Sequence, residues 1–502
     1  MALSPDDIER TVSRIMSELG YDKPSEEATG TATPGTLSTK ATGPAPAMSP
    51  GRAPAVSAGP SCLFDTIDEA SEAARKAQGQ MLDFGLEARG NIVEAMRKAA
   101  LKYSEGLGQM AVQETGLGRM PDKKLKVDLA ARKTPGPEDI RTEAWSGDHG
   151  LTITEAAPYG VVGVITPSTN PAETVINNAI SIISAGNSVV FNSHPLAKGV
   201  SNRTAEILND AVIAGGGPKN LVTAIKDPSK QTASGLMTNR GIDLLLVTGG
   251  SEVIRLAMTS GARAICAGPG NPPVVVDETA DIKKAAGNII YGASFDNNVL
   301  CTAEKETFAV DKIYNQLRGE MTASGGYELK GMELMKLMSM VVIDDPNKKG
   351  ERHPRVNKEF VGKDAVTIAH AAGISVPQGT RLLFFESDWD HPLVMAEQLM
   401  PVHPVVRCKD VEEAMELAII AEHKFEHTFV MHSTNIANLS RMAQMCNGNI
   451  FVKNGPSMAG LGMNAEGFCT MSIAGTTGEG MTRARTFTRP RRCTLVDYFR
   501  II

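Results

Sequence analysis

GVVGVITPSTNPAETVINNAISIISAGNSVVFN (160–192) reads as strand, helix, strand. The runs Gly160–Thr166 and Asn187–Asn192 are short and rich in Val and Ile. Between them a helix follows TNPAET (169–174). The alternation continues on the C-terminal side. A helix begins near Leu196, LVTAI (221–225) and DLLLVTG (243–249) are strands, and SEVIRLAM (251–258) is a helix. Strand–helix alternation at this spacing predicts a parallel sheet of the nucleotide-binding sort. A second α/β series runs from about Pro273 to Val452. On the N-terminal side, helical patterns fill 64–133. Pro135-Gly136-Pro137 then leads into two extended runs, TEAWS (142–146) and LTITEA (151–156), whose Gly-Asp-His-Gly junction predicts a hairpin.

Length and composition bound the function. At 502 residues the chain is too long for one ordinary domain, and 42% hydrophobic with 22% charged residues is globular composition. A net charge of -6 argues against a general nucleic-acid binder. No apolar run reaches the roughly 18 residues a membrane span needs, and the N-terminus lacks the basic-then-apolar pattern of a secretory signal. Seven cysteines without a C-x-x-C pair fit reduced thiols. These features predict a soluble intracellular enzyme.

The first 20 residues stand apart. Ile8, Val12, Ile15, Met16 and Leu19 form one apolar stripe at helical spacing, with Ser4 as cap, Pro5 in the first turn and Gly20 at the end. Residues 21–61 are rich in Pro, Ala, Gly, Ser and Thr, the composition of a flexible linker. A short helix on such a tether is expected to pack on another body, the alternative being its own.

Several side chains could carry chemistry. Cys301 follows the polar turn FDNN (295–298) and precedes a strand, a setting for a nucleophilic thiolate. Gly249-Gly250 joins a strand to a helix opened by Ser251, where backbone N–H groups favour a phosphate, although no full G-x-G-x-x-G is present. His423 and His427 have the i, i+4 spacing of zinc ligands, but no third ligand suggests itself and no metal is expected. The arginines at 483–500 alternate with strand-forming residues and suit subunit contacts better than RNA.

Seven collinear segments give the sequence a wider resemblance: ETGLGR (114–119), PYGVVGVITPSTNP (158–171), VTGGSE (247–252), AGPGNPPVVVD (267–277), FDNNVLC (295–301), FVKNGPS (451–457) and ARTFTRPRRC (484–493). Over residues 62–502 the chain resembles the aldehyde dehydrogenase superfamily. Within it, the resemblance is to the CoA-acylating propionaldehyde and acetaldehyde dehydrogenases of bacterial microcompartments. The resemblance implies an α/β fold with two Rossmann-type domains: a nucleotide-binding domain at 62–134 and 152–265, and a catalytic domain at 266–452. It also implies an oligomerisation element of β-hairpin and C-terminal strand at 135–151 and 485–502, in a homo-dimer or tetramer. Cys301 matches the nucleophile, and Asn170, or Thr169 in strict register, the oxyanion donor, with the Cys301 backbone N–H as the other. Thr166, Pro167, Ser168 and Thr169 match the loop lining NAD, and Gly249, Gly250 and Val253 the turn near its pyrophosphate. Glu397 matches a Glu that orients the nicotinamide ribose, while Leu399 replaces an aromatic companion. Asn192 and Pro195 replace the usual Lys and Glu beside the adenosine ribose, which leaves NAD versus NADP open.

Ala267 stands where hydrolytic members carry a general base. Without one, water attacks a thioester slowly, whereas a thiolate needs no such help, so the missing Glu argues for coenzyme A as acceptor. The resemblance thus implies oxidation of propionaldehyde to propionyl-CoA in a microcompartment of the bacterial cytoplasm, with residues 1–20 binding shell or cargo. The alternatives are an acetaldehyde dehydrogenase, a hydrolytic dehydrogenase and a non-enzymatic cargo scaffold.

Overall fold

A computed structural model describes residues 61–344 and 354–502. The expected helix at 1–20 and the linker up to residue 60 lie outside the described residues.

Two parallel sheets organise the chain. In the first, the spatial order is Leu63–Phe64, Val222–Ile225, Ser188–Asn192, Val161–Ile165, Leu244–Thr248 and Ala264–Ala267. All five residues of Val161–Ile165 are buried, as expected of a strand covered on both faces. The helix Pro171–Ser184 that follows is buried along its whole length, which accounts for its apolar sequence. In the second sheet the order is Gly326–Glu328, Leu382–Ser387, Val402–Cys408, Glu306–Val310, Pro273–Val276, Thr428–His432 and Ile450–Lys453. Val162 and Phe191 of the first sheet belong to the same hydrophobic cluster as Val274 and Phe384 of the second, so one core runs through both. Each large side chain buried there contributes roughly 1.5–3 kcal/mol.

A third, antiparallel sheet consists of Glu143–Gly147, Gly150–Pro158 and Thr488–Val496. Its hairpin reaches Pro158, beyond the border expected at 151. Glu143–Gly147 and nearly all of Thr488–Val496 are exposed. Trp145 lies under the Arg492 guanidinium, 5.5 Å from ring centroid to Cζ. Tyr498 and Phe499 are exposed just beyond the last strand. Among the described residues no helix is long and apolar enough to cross a membrane.

Candidate active site

The cofactor side of the site follows from topology. From Val161–Ile165 the chain builds the sheet to one side through Ser188–Asn192 and Val222–Ile225, then crosses to the other side as Leu244–Thr248. That reversal opens a crevice at the carboxyl ends of the two central strands, the usual ligand position in such sheets. Thr166, Pro167, Ser168 and Thr169 extend from one strand, and Gly249 and Gly250 from the other. Thr166 is buried and its hydroxyl has no partner. Gly249 donates its N–H to the Ala267 carbonyl at 3.1 Å, and a Cβ on it would stand 2.7 Å from Val253 Cγ1. Gly250 precedes the helix Ser251–Thr259 without a side-chain cap, leaving the first-turn N–H groups available. Asn192 ends the neighbouring strand and accepts from the Thr232 hydroxyl at 2.6 Å; Pro195 is exposed, three residues on.

The chemical side rests on an unusual turn. The helix Ile282–Ser294 runs into three consecutive left-handed residues, Asp296 (φ 49°), Asn297 (φ 53°) and Asn298 (φ 66°). Asp and Asn tolerate that region better than other side-chain-bearing residues, the physical reason for the sequence FDNN. Each is tied down. Asp296 Oδ1 accepts the Arg119 N–H at 2.8 Å. The Asn297 amide donates to the Gly362 carbonyl at 3.0 Å, and the Asn298 amide to the Ala293 and Glu304 carbonyls at 2.8 and 2.9 Å. Cys301 follows, partly exposed, just ahead of the central strand Glu306–Val310.

Three charges act on the thiol: Glu397 raises its pKa, and Lys305 and Lys126 lower it. Lys305, fully buried, donates to Asn298 Oδ1 at 2.5 Å and to the Asn298 and Leu300 carbonyls at 3.0 and 2.9 Å. Burial pushes its ammonium down to about 8 against the pull of Glu397. Although Cys301 keeps some solvent contact, protein packed around its sulfur and then the Glu397 carboxylate push the thiol up to about 12, and Lys305 opposes them. Glu397 accepts the Gly270 N–H at 3.3 Å, and burial raises its own pKa. Leu399, nearby in sequence, adopts φ 51° and accepts from the Gly362 N–H at 2.8 Å. Asn170 heads the helix Pro171–Ser184; its Oδ1 accepts from Lys126 at 2.5 Å and its amide donates to the Thr169 hydroxyl at 3.2 Å.

The Aldehyde dehydrogenase family model matches residues 39–328, more than half of the 502-residue chain. The chain belongs to the aldehyde dehydrogenase family. The acetylating acetaldehyde dehydrogenase of Salmonella typhimurium is 48% identical over 442 residues, 88% of this chain and 93% of that protein. The CoA-propanoylating propanal dehydrogenase of Citrobacter freundii is 42% identical over 88% of this chain and 94% of its own. Among solved structures, a propionaldehyde dehydrogenase from the fucose utilisation microcompartment of Clostridium phytofermentans superposes with TM-score 0.84 at 44% identity. It covers 88% of this chain and 99% of its own. A propionaldehyde dehydrogenase of Rhodopseudomonas palustris, with bound CoA and an acylated cysteine, gives TM-score 0.83 at 43% identity, covering 87% of this chain and 98% of its own.

In this aldehyde dehydrogenase Ala267 is buried at the end of the strand Ala264–Ala267. The chain then passes through Gly270, where a Cβ would collide with the Cys301 carbonyl and stand 3.0 Å from His427 Cγ. His427, read from sequence only as a metal-ligand spacing with His423, therefore packs beside the turn that carries Cys301. Its Nδ1 is 2.9 Å from the Thr428 hydroxyl, and burial drives the imidazole down to about 3, which keeps it neutral. His423 instead turns its Nε2 to the Met395 carbonyl at 2.9 Å. Among the described residues no group of three His, Cys, Asp or Glu could hold a metal ion. Sequence reasoning missed Lys123, Lys126, Asp296 and Lys305. Lysines at helical spacing look like a solvated face until the packing of that face is known.

Proposed function

We propose that this CoA-acylating aldehyde dehydrogenase converts propionaldehyde to propionyl-CoA with NAD, inside a bacterial microcompartment. The observation that carries the acylating chemistry is a cysteine fixed on a buried turn beside the crevice, with Ala267 where a hydrolytic base would stand. The crevice fits a dinucleotide: the orphan Thr166 hydroxyl and the uncapped start of Ser251–Thr259 are groups a pyrophosphate would satisfy. Thr166–Thr169, Gly249, Gly250 and Val253 would hold it there, Asn192 and Pro195 its adenosine end, and Glu397 and Leu399 its nicotinamide end. When bound, the nicotinamide supplies the hydride acceptor.

The residues then divide the work. The Cys301 thiolate forms a C–S bond to the aldehyde carbon, and the carbonyl pair moves to oxygen. The Asn170 amide and the Cys301 backbone N–H donate to that oxyanion. Collapse of the alkoxide expels hydride and leaves an acyl-thioester on Cys301. The coenzyme A thiolate attacks the acyl carbon, the bond to Cys301 breaks, and the enzyme thiolate returns. One aldehyde, one NAD and one coenzyme A give acyl-CoA, NADH and a proton, in ping-pong order.

Incubation with propionaldehyde and NAD, without coenzyme A, will leave one propionyl group on the Cys301 peptide by mass spectrometry. Cys301→Ala will carry none; an acylated wild-type peptide elsewhere would overturn the assignment. Acetaldehyde is the second reading, favoured by 48% identity to an acetylating relative against 42% to a propanoylating one. A methylene is worth about 1–3 kcal/mol of discrimination, so the ratio of kcat/KM for the two aldehydes separates them. The exposed three-stranded sheet supports a homo-dimer or tetramer.

A further inference from the structure

The helix Met120–Lys133 turns charged residues inward. Lys123 and Lys126 are fully buried, and Asp122 nearly so. Lys126 Nζ donates to Asn170 Oδ1 at 2.5 Å and forms ion pairs with Asp296 Oδ2 at 2.5 Å and Glu173 Oε1 at 3.4 Å. Lys123 Nζ lies 2.5 Å from the Thr169 carbonyl and 2.9 Å from the same Asp296 oxygen. Asp296 donates its backbone N–H to Asp122 Oδ2 at 2.9 Å. A Cβ on Gly118 would collide with Asp296 Oδ1, so a glycine there, in ETGLGR, leaves room for the carboxylate. Two ammonium groups against Asp296 and Glu173 balance the buried charge. One helix thereby ties the turn that carries Cys301 to the loop that carries Asn170.

We propose that Lys126, anchored on Asp296, is a positioning residue of the acylation step that orients the Asn170 carboxamide with its N–H toward the oxyanion. The inference rests on the reading of Asn170 as an oxyanion donor. A carboxamide presents oxygen or nitrogen with almost the same shape, so only its partners fix which end faces the substrate. The ammonium binds the oxygen, which leaves the amide nitrogen as the free end. One of its hydrogens goes to Thr169 Oγ1 at 3.2 Å and the other remains to donate. Without Lys126 the oxygen could face the developing negative charge and repel it.

The test is a single-turnover cycle of NADH formation with propionaldehyde and saturating NAD, in wild type, Asn170→Ala, Lys126→Met and the double variant. Each single change slows the burst roughly 10²-fold, as loss of one oxyanion donor does, and the NAD dissociation constant stays at its wild-type value. The double variant is no slower than Asn170→Ala alone, because both changes remove the same interaction. If Lys126→Met does not fold, Lys126→Met with Asp296→Asn removes one charge of each sign and takes its place in the cycle. A wild-type burst in the Lys126 variant, or slowing that multiplies with that of Asn170→Ala, overturns the inference and leaves Asn170 as donor. A wild-type burst in Asn170→Ala overturns the reading of Asn170 and the inference with it.

Discussion

Glu397 and Lys305 pull the Cys301 thiol in opposite directions, the carboxylate up and the ammonium down. Glu397→Gln removes the charge that raises the thiol's pKa, so the thiolate fraction at pH 8 increases, about tenfold for each unit of fall. Iodoacetamide will therefore alkylate the variant faster than wild type, while NADH formation slows if Glu397 holds the nicotinamide ribose as proposed. An unchanged alkylation rate would show that Glu397 does not act on the sulfur. A thiol between an Asn-rich turn and a strand is weak evidence alone, since free cysteines are usually small buried apolar residues, and Cys301 stood out through the family resemblance of FDNNVLC. Lys305, four residues on, did not. Nothing in CTAEKETF shows that its side chain turns back to the Asn298 and Leu300 carbonyls, since that contact exists only once the left-handed turn has formed.

The turn Phe295–Asn298 is the element on which the site depends. Asn298 satisfies the Ala293 and Glu304 carbonyls and offers Lys305 an oxygen, all within buried surroundings. Asn298→Ala strands these groups and places a residue less suited to φ 66° at that position. Loss of about 2 kcal/mol or more of stability is expected by chemical denaturation, with kcat falling further than KM rises. Stability within about 0.5 kcal/mol of wild type would mean the turn is held by other contacts. The strands and helices around it were readable from periodicity. The C-terminal strand begins at Thr488 and runs through Pro490. Proline is tolerated there because Thr488–Val496 is an edge strand, and an edge position is a property of the assembled sheet.

For the whole molecule, alternating strands and helices announced two parallel sheets. Their strand orders were not readable, because pairing joins residues such as Val161 and Ser188 that no local pattern links. The switch crevice is a consequence of that order, which is why Gly249-Gly250 carried so little weight in the sequence. We propose, from the sequence alone, that residues 1–20 are an address. Deleting them will leave kcat near wild type, and fusing them to a fluorescent protein will send it into a co-expressed microcompartment, which Ile15→Glu will prevent. A diffuse fusion, or a destabilised truncated enzyme, would return the helix to its own body.

In the proposed reaction coenzyme A, and not water, takes the acyl group from Cys301. NADH formation followed from the first turnover, with propionaldehyde and with coenzyme A present or omitted, tests this most directly. Without coenzyme A the enzyme will give a burst of about one NADH per site and then near silence, with steady turnover and acyl-CoA product once it is added. Sustained NADH formation with free propionate accumulating in its absence would contradict it.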